Sequence, residues 1–151
     1  MHSAKNTDKK LRSGVLMKPK IIRYLFFFLL GSVIYPCIEL IWRGHSHISM
    51  AVLGGLATIS IVWLDSCLKR GLFLQKAFLS AVIITQLEWV FGVVLNLQLK
   101  MEIWDYSDLP FHLAGQICPL FSFYWFLLSL FLIILLDIEK GMKKQKLSAK
   151  H

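Results

Sequence analysis

The sequence predicts an all-α integral membrane bundle of four transmembrane helices with both termini cytoplasmic, and three observations carry that reading. The 151-residue chain is 56% hydrophobic and only 17% charged, whereas soluble domains run nearer a quarter charged. Four apolar stretches each approach or exceed the roughly 20 helical residues needed to cross about 30 Å of hydrocarbon. The basic residues behind the net charge of +8 gather at the two ends and in one turn. A chain of this kind is excluded from the soluble classes, and its charge is set by membrane topology rather than by a folded basic face.

Residues 1–20 form a basic cytoplasmic tail, and the first span covers 21–42. Seven basic residues, Lys5, Lys9, Lys10, Arg12, Lys18, Lys20 and Arg23, stand in the tail or at the start of that span. The span is too long for a signal sequence, and Tyr35-Pro36-Cys37-Ile38-Glu39 offers no small-x-small cleavage site, so it is expected to be retained. Ser32, Tyr35, Glu39 and Arg43 recur at spacings of 3, 4 and 4, which aligns them on one helix face. Glu39 and Arg43, one turn apart, are placed to pair at the outer interface. Pro36 leaves the Ser32 carbonyl without its helical donor and is expected to kink the helix there.

The second span, 48–68, presents Met50, Gly54, Ala57 and Ile61 on one narrow face, with Gly55 beside it, which lets a neighbouring helix approach closely. The third, 72–99, holds the deepest ionisable residue. Glu88 lies about 15 Å below the outer end of its helix, in a stripe with Ala81, Thr85, Gly92 and Asn96. A carboxyl at that depth either binds substrate or a proton, or serves as interhelical glue worth about 0.6–2 kcal/mol per hydrogen bond.

The fourth span, 111–136, carries His112, Gly115, Gln116, Pro119, Ser122 and Ser129 on one broad face. Asp108 is placed to cap it with Pro110 in its first turn, and Pro119 to free the Gly115 carbonyl. Residues 137–151 close the chain as a second basic tail with Lys140, Lys143, Lys144, Lys146 and Lys150.

Orientation follows from the preference of Lys and Arg for cytoplasmic connections. The two tails and the turn containing Lys69, Arg70 and Lys76 hold fifteen of the seventeen basic residues, against Arg43 and Lys100 in the other two connections. Trp42, Trp104 and Tyr106 then fall at the outer interface and Tyr24 and Trp63 at the inner one. The expected location is a cell membrane of the inner, cytoplasmic type.

Several chemistries find little in the sequence. The tails lack an aromatic-interleaved platform for nucleic acid and are expected to meet anionic lipid headgroups instead. His45 and His47 lie near Glu39 with His112 on the same predicted side, but their spacing is not specific for a metal and a His-x-His in a surface loop is more often solvated; no cofactor motif is present, and the three cysteines show neither a disulfide framework nor a CxxC pair. No nucleophile motif suggests an enzyme. Glu88 with His112 as acid and base would be the exception.

The segments Glu39-Leu40-Ile41-Trp42-Arg43-Gly44, Thr85-Gln86-Leu87-Glu88, Trp104-Asp105-Tyr106-Ser107 and Gly115-Gln116-Ile117-Cys118 carry a resemblance. Covering roughly residues 30 to 130, they resemble the ABC-transporter permease family of the CmpB-like, type IV group, small bacterial multi-pass membrane proteins. His112 stands where that pattern is expected to carry asparagine. The resemblance implies transport and an ATPase subunit as partner, although the one internal cytoplasmic connection, 65–74, is short for a coupling helix. With only four helices, a homo-oligomer or partner subunits would complete a pathway.

The leading expectation is therefore a permease-like or transport-associated subunit with a polar outward-facing pocket. Its candidate residues for substrate or proton binding are Glu88, Glu39, Arg43, Trp104, Asp105, Tyr106, Asn96, His112 and Gln116. The alternative is a structural or regulatory membrane protein in which the stripes only fix helix packing, with an embedded enzyme or a pore former further off.

Overall fold

The computed structural model describes the backbone of residues 2–68 and 71–149 and the side chains of residues 20–68 and 71–149. Lys69, Arg70 and Lys150, and the side chains of Lys5, Lys9, Lys10, Arg12 and Lys18, lie outside the described residues. The described chain forms four helices: α1 (His2–Arg43), α2 (Ile48–Cys67), α3 (Phe73–Gly92) and α4 (Pro119–Ser148), with α3 continued by a π-helical turn over Val93–Gln98. Four stretches are long and apolar enough to cross a membrane, Lys20–Arg43, Ile48–Cys67, Phe73–Gln98 and Pro119–Ser148.

The first connection is short because Gly44 adopts φ +75° after Arg43, the left-handed residue that commonly ends a helix. His47 then starts α2 in extended conformation, its Nδ1 accepting the Ser49 backbone N–H at 3.2 Å. α1 runs through Pro36 as one uninterrupted helix. It packs on α2, which packs on α3 and α4, and α3 packs on α4.

Glycine sets the α1–α2 approach: a Cβ on Gly54 would stand 2.5 Å from the Tyr35 Cβ and 2.6 Å from the Gly31 carbonyl oxygen. Between α2, α3 and α4 the core is built from Ala57, Ile61, Ala77, Ala81, Ile84 and Ile133. Small residues let these backbones close, as membrane helices require where apolar burial gives no driving force.

The fourth helix begins at Pro119, eight positions beyond the predicted start at residue 111. Phe111, Ala114 and Gly115 have φ of 59°, 49° and 69°, a left-handed conformation that a right-handed helix cannot contain. Cys118, extended at φ −149°, is the N-cap, and Pro119 takes the first helical positions, where its missing N–H costs nothing. Asp108 and Pro110 therefore lie in the connection, and the Gly115 carbonyl accepts the Tyr106 N–H at 2.7 Å. At its other end α4 continues past Leu136, where the apolar run stops. Its 30 residues reach about 45 Å at roughly 1.5 Å each, well beyond the roughly 30 Å hydrocarbon core.

At the end of the bundle carrying the α2–α3 turn, α2 presents Asp65, 3% exposed, to two lysines. Its Oδ1 accepts from Lys76 Nζ at 2.9 Å and its Oδ2 from Lys140 Nζ at 2.5 Å. Lys76, counted above among the residues of the turn, is in fact 4% exposed inside α3. A buried ammonium needs a paired carboxylate, and the first turns of α3 bring Lys76 to Asp65. Arg23 of α1 reaches Glu139 of α4 at 3.7 Å nearby.

Candidate functional site

At the opposite end, residues 99–118 fold back into the bundle, burying Ile103, Trp104, Gln116 and Cys118. The π turn prepares this. Leu99 N–H bonds to the Val94 carbonyl at 3.0 Å, widening the last turn of the helix, a deviation often found at functional sites. Asn96, buried on that turn, is the hub of the loop. Its Nδ2 donates to the Trp104 carbonyl at 2.9 Å and to Gln116 Oε1 at 2.8 Å, and its Oδ1 accepts the Ile103 N–H at 2.7 Å.

The two halves of the loop are bound to each other. Trp104 Nε1 donates to the Gln116 carbonyl at 3.0 Å, and the Tyr106–Gly115 backbone bond lies beside it. Trp104-Asp105-Tyr106-Ser107 and Gly115-Gln116-Ile117-Cys118, separated in sequence, thus form one unit. Gly92 admits this unit to α3, since a Cβ there would come within 2.7 Å of Gln116 Oε1.

Glu88 is 1% exposed. Its Oε1 accepts from the Tyr106 hydroxyl at 2.9 Å and its Oε2 from Trp125 Nε1 of α4 at 3.2 Å. No salt bridge reaches it among the described residues. Ten residues separate Glu88 from the end of the π turn, about 15 Å of helix, so the loop must enter the bundle for Tyr106 to touch it. Burial, and then the Glu88 carboxylate, push the Tyr106 phenol well above the ordinary tyrosine range, keeping it a donor. Its ring stacks on Phe121 at 4.4 Å between centroids, and Trp125 stacks on Tyr35 of α1 at 5.2 Å.

Glu39 and Arg43 pair as expected, at 2.5 Å. Ser46 Oγ donates to the second Glu39 oxygen at 2.5 Å, and Arg43 Nη1 donates to the Ile103 carbonyl at 3.0 Å. Arg43 thereby ties α1 to the loop. Asp105, which the sequence offered as a partner for Arg43, instead accepts the Ser107 hydroxyl at 2.6 Å and its N–H at 2.9 Å. A carboxylate two residues from a serine can close its own turn. Those bonds hold the exposed Asp105 carboxyl below the usual carboxylate range.

A cavity of about 680 Å³ lies between α1, α4 and the loop. Glu39, Arg43, Trp104, Asp105 and Tyr106 line it, as do Tyr35 and Trp125. Glu88 sits directly behind Tyr106 and Trp125. The backbones of α1 and α4 do not pack against each other among the described residues, and the Tyr35–Trp125 stack bridges the gap below the cavity.

The expected single polar cluster is therefore three hydrogen-bonded groups around one loop: Glu88 with Tyr106 and Trp125, Asn96 with Trp104 and Gln116, and Glu39 with Arg43. His112 stands apart from all three. It is exposed, its Nδ1 accepts the Gly115 N–H at 3.0 Å, and the structure does not bring it to Glu88.

Sequence reasoning missed Trp125, whose signal was present: a buried indole N–H deep in an apolar span needs an acceptor. It also missed Asp65, an acid in an apolar run with Lys76 eleven residues on.

A family model matches residues 26–147, from within α1 almost to the end of α4. No curated protein and no solved structure matches the chain. With that match over most of its length and four helices of membrane-crossing length, the chain is a multi-pass membrane protein that belongs to the family described as putative ABC-transporter type IV.

Proposed function

We propose that this membrane protein is a transport or transport-associated subunit of the cytoplasmic membrane, with the cavity between α1 and α4 facing outward as its substrate or proton pocket. One observation carries the reading: a fully buried carboxyl, Glu88, is held among the described residues by two neutral donors, Tyr106 and Trp125, and both of those line the cavity. An ionisable group kept near the middle of a span without a cation is costly, and such groups mark substrate and proton pathways. Glu39, Arg43, Trp104 and Asp105 form the outer rim, while Asn96 and Gln116 position the loop that brings Tyr106 to Glu88. An ATPase subunit or further copies of the chain would complete a pathway that four helices alone do not enclose.

The test is Glu88→Gln. Glutamine keeps the shape, and the Tyr106 hydroxyl can turn to accept from its amide, so the expected cost in folding is no more than about 1–2 kcal/mol. Complementation of a deletion strain, or uptake by reconstituted protein, is expected to fall at least tenfold with protein levels unchanged. Full activity at normal levels would sink the proposal.

The packing-only reading has its own support, since each Glu88 oxygen already has a partner. It predicts a tolerated Glu88→Gln and a bundle destabilised by bulky residues at Gly54 or Gly92.

A further inference from the structure

The inference here rests on the cavity being the substrate pocket and concerns what the pocket takes. Its volume, about 680 Å³, falls in the roughly 300–1,000 Å³ range of small-molecule sites. Its walls include Tyr35, Trp42, Tyr106, Phe121, Tyr124 and Trp125. The negative faces of such rings attract cations, most strongly when water is excluded.

The ionisable groups lining the cavity give the same sign. They are Glu39, Arg43, Asp105 and Asp108. Arg43 is committed to Glu39 at 2.5 Å and to the Ile103 carbonyl at 3.0 Å, so that pair cancels. Asp105 takes both Ser107 bonds on Oδ1, leaving Oδ2 open. Neither Asp105 nor Asp108 has a salt bridge among the described residues. Two carboxylates without a salt bridge among the described residues thus stand at the rim of an aromatic pocket, and the one basic side chain among the described lining residues, Arg43, is paired with Glu39.

Access completes the picture. Ile38 of α1 and Leu127 and Leu128 of α4 line the cavity and are 42%, 43% and 43% exposed. Because α1 and α4 do not pack backbone to backbone there, these residues border a mouth that opens sideways toward the hydrocarbon.

The geometry points to a binding site for an amphipathic organic cation, which enters between α1 and α4, lays its apolar body against the aromatic wall and sets its charge at Asp105 and Asp108.

The experiment is equilibrium dialysis of the full chain in neutral detergent against tetraphenylphosphonium and tetraphenylborate, ions of one size and opposite charge, with empty micelles subtracted. Saturable phosphonium binding at least tenfold tighter than that of the borate is expected. Asp108→Asn should weaken it at least threefold, and Asp105→Asn with Asp108→Asn at least tenfold. Asp108 is exposed and outside the Asp105–Ser107 turn, so its variant tests the charge without disturbing the loop.

Absence of saturable binding, equal or tighter binding of the borate, or an affinity unchanged in both variants overturns the inference. Failed phosphonium binding with an inactive Glu88→Gln protein removes the cation and leaves the transport reading standing. Phosphonium binding with a fully active Glu88→Gln protein supports the cation site and removes the role of Glu88.

Discussion

Gly115 shows how much the loop depends on single positions. Its φ of +69° suits glycine, and an alanine there pays about 1–2 kcal/mol for the left-handed backbone alone. The added Cβ would also collide with Asp105 Oδ1 and stand 2.7 Å from Ser107 Oγ. Gly115→Ala is therefore expected to cost at least about 2 kcal/mol and to release the Tyr106–Gly115 bond. A lower melting temperature in detergent, with faster proteolytic cleavage between residues 99 and 118, would show it; an unchanged melting temperature would contradict the packing described. The Gly-Gln-Ile-Cys segment was legible as a feature of the sequence. Its contact with Asp105 and Ser107 was not, because spacing along a chain does not say which side of a loop folds over which.

Elements were legible where apolar length alone decides them and less so where backbone chemistry does. The second helix, Ile48–Cys67, covers the apolar run that follows Gly44 and His47. The fourth was placed too early because Asp108 and Pro110 imitate a helix start, and only the left-handed φ values at Phe111, Ala114 and Gly115 exclude it. The π turn that presents Asn96 has no sequence signature in the chain. The α2–α3 turn hides a third such case, since Asp65 and Lys76 sit in separate helices and look like boundary charges, yet both are buried. Removing one member of a buried pair leaves the other uncompensated at a cost of about 3–5 kcal/mol. Asp65→Asn should therefore strand Lys76 and destabilise the bundle strongly, while Asp65→Asn with Lys76→Met should recover most of the loss. Thermal unfolding of the two variants in one detergent checks the order. A double variant no more stable than the single one would mean that Lys140, the second partner of Asp65, carries the interaction.

For the whole molecule, the two ends of the bundle differ in kind, and that difference fixes a last expectation. One end holds the aromatic loop, the cavity and, among the described residues, three carboxylates without a salt bridge, Glu102, Asp105 and Asp108. The other holds the turn, the start of α1 and the extension of α4 beyond Leu136, with Lys140, Lys143, Lys144 and Lys146. Counted along the sequence, the tails and the turn hold fifteen of the seventeen basic residues; discounting Lys76, which pairs with Asp65, leaves fourteen, a bias that predicts a cytoplasmic placement for these segments. The last twelve residues of α4, Asp137 to Ser148, extend about 18 Å past the apolar run. They form a basic helical stalk where a soluble subunit could dock, which the short α2–α3 turn is too small to provide. A fluorescent protein fused after His151 should therefore fluoresce, as it does only in the cytoplasm, while alkaline phosphatase fused at the same point should be inactive. The reverse pattern would invert the bundle and turn the cavity inward. If the orientation holds, the same fusion purified in mild detergent should carry a nucleotide-binding subunit, and replacing Lys143, Lys144 and Lys146 by glutamine should release it. Repeated recovery of the chain without such a subunit would remove ATP coupling from the proposal and leave a pocket whose transport, if any, is driven without it.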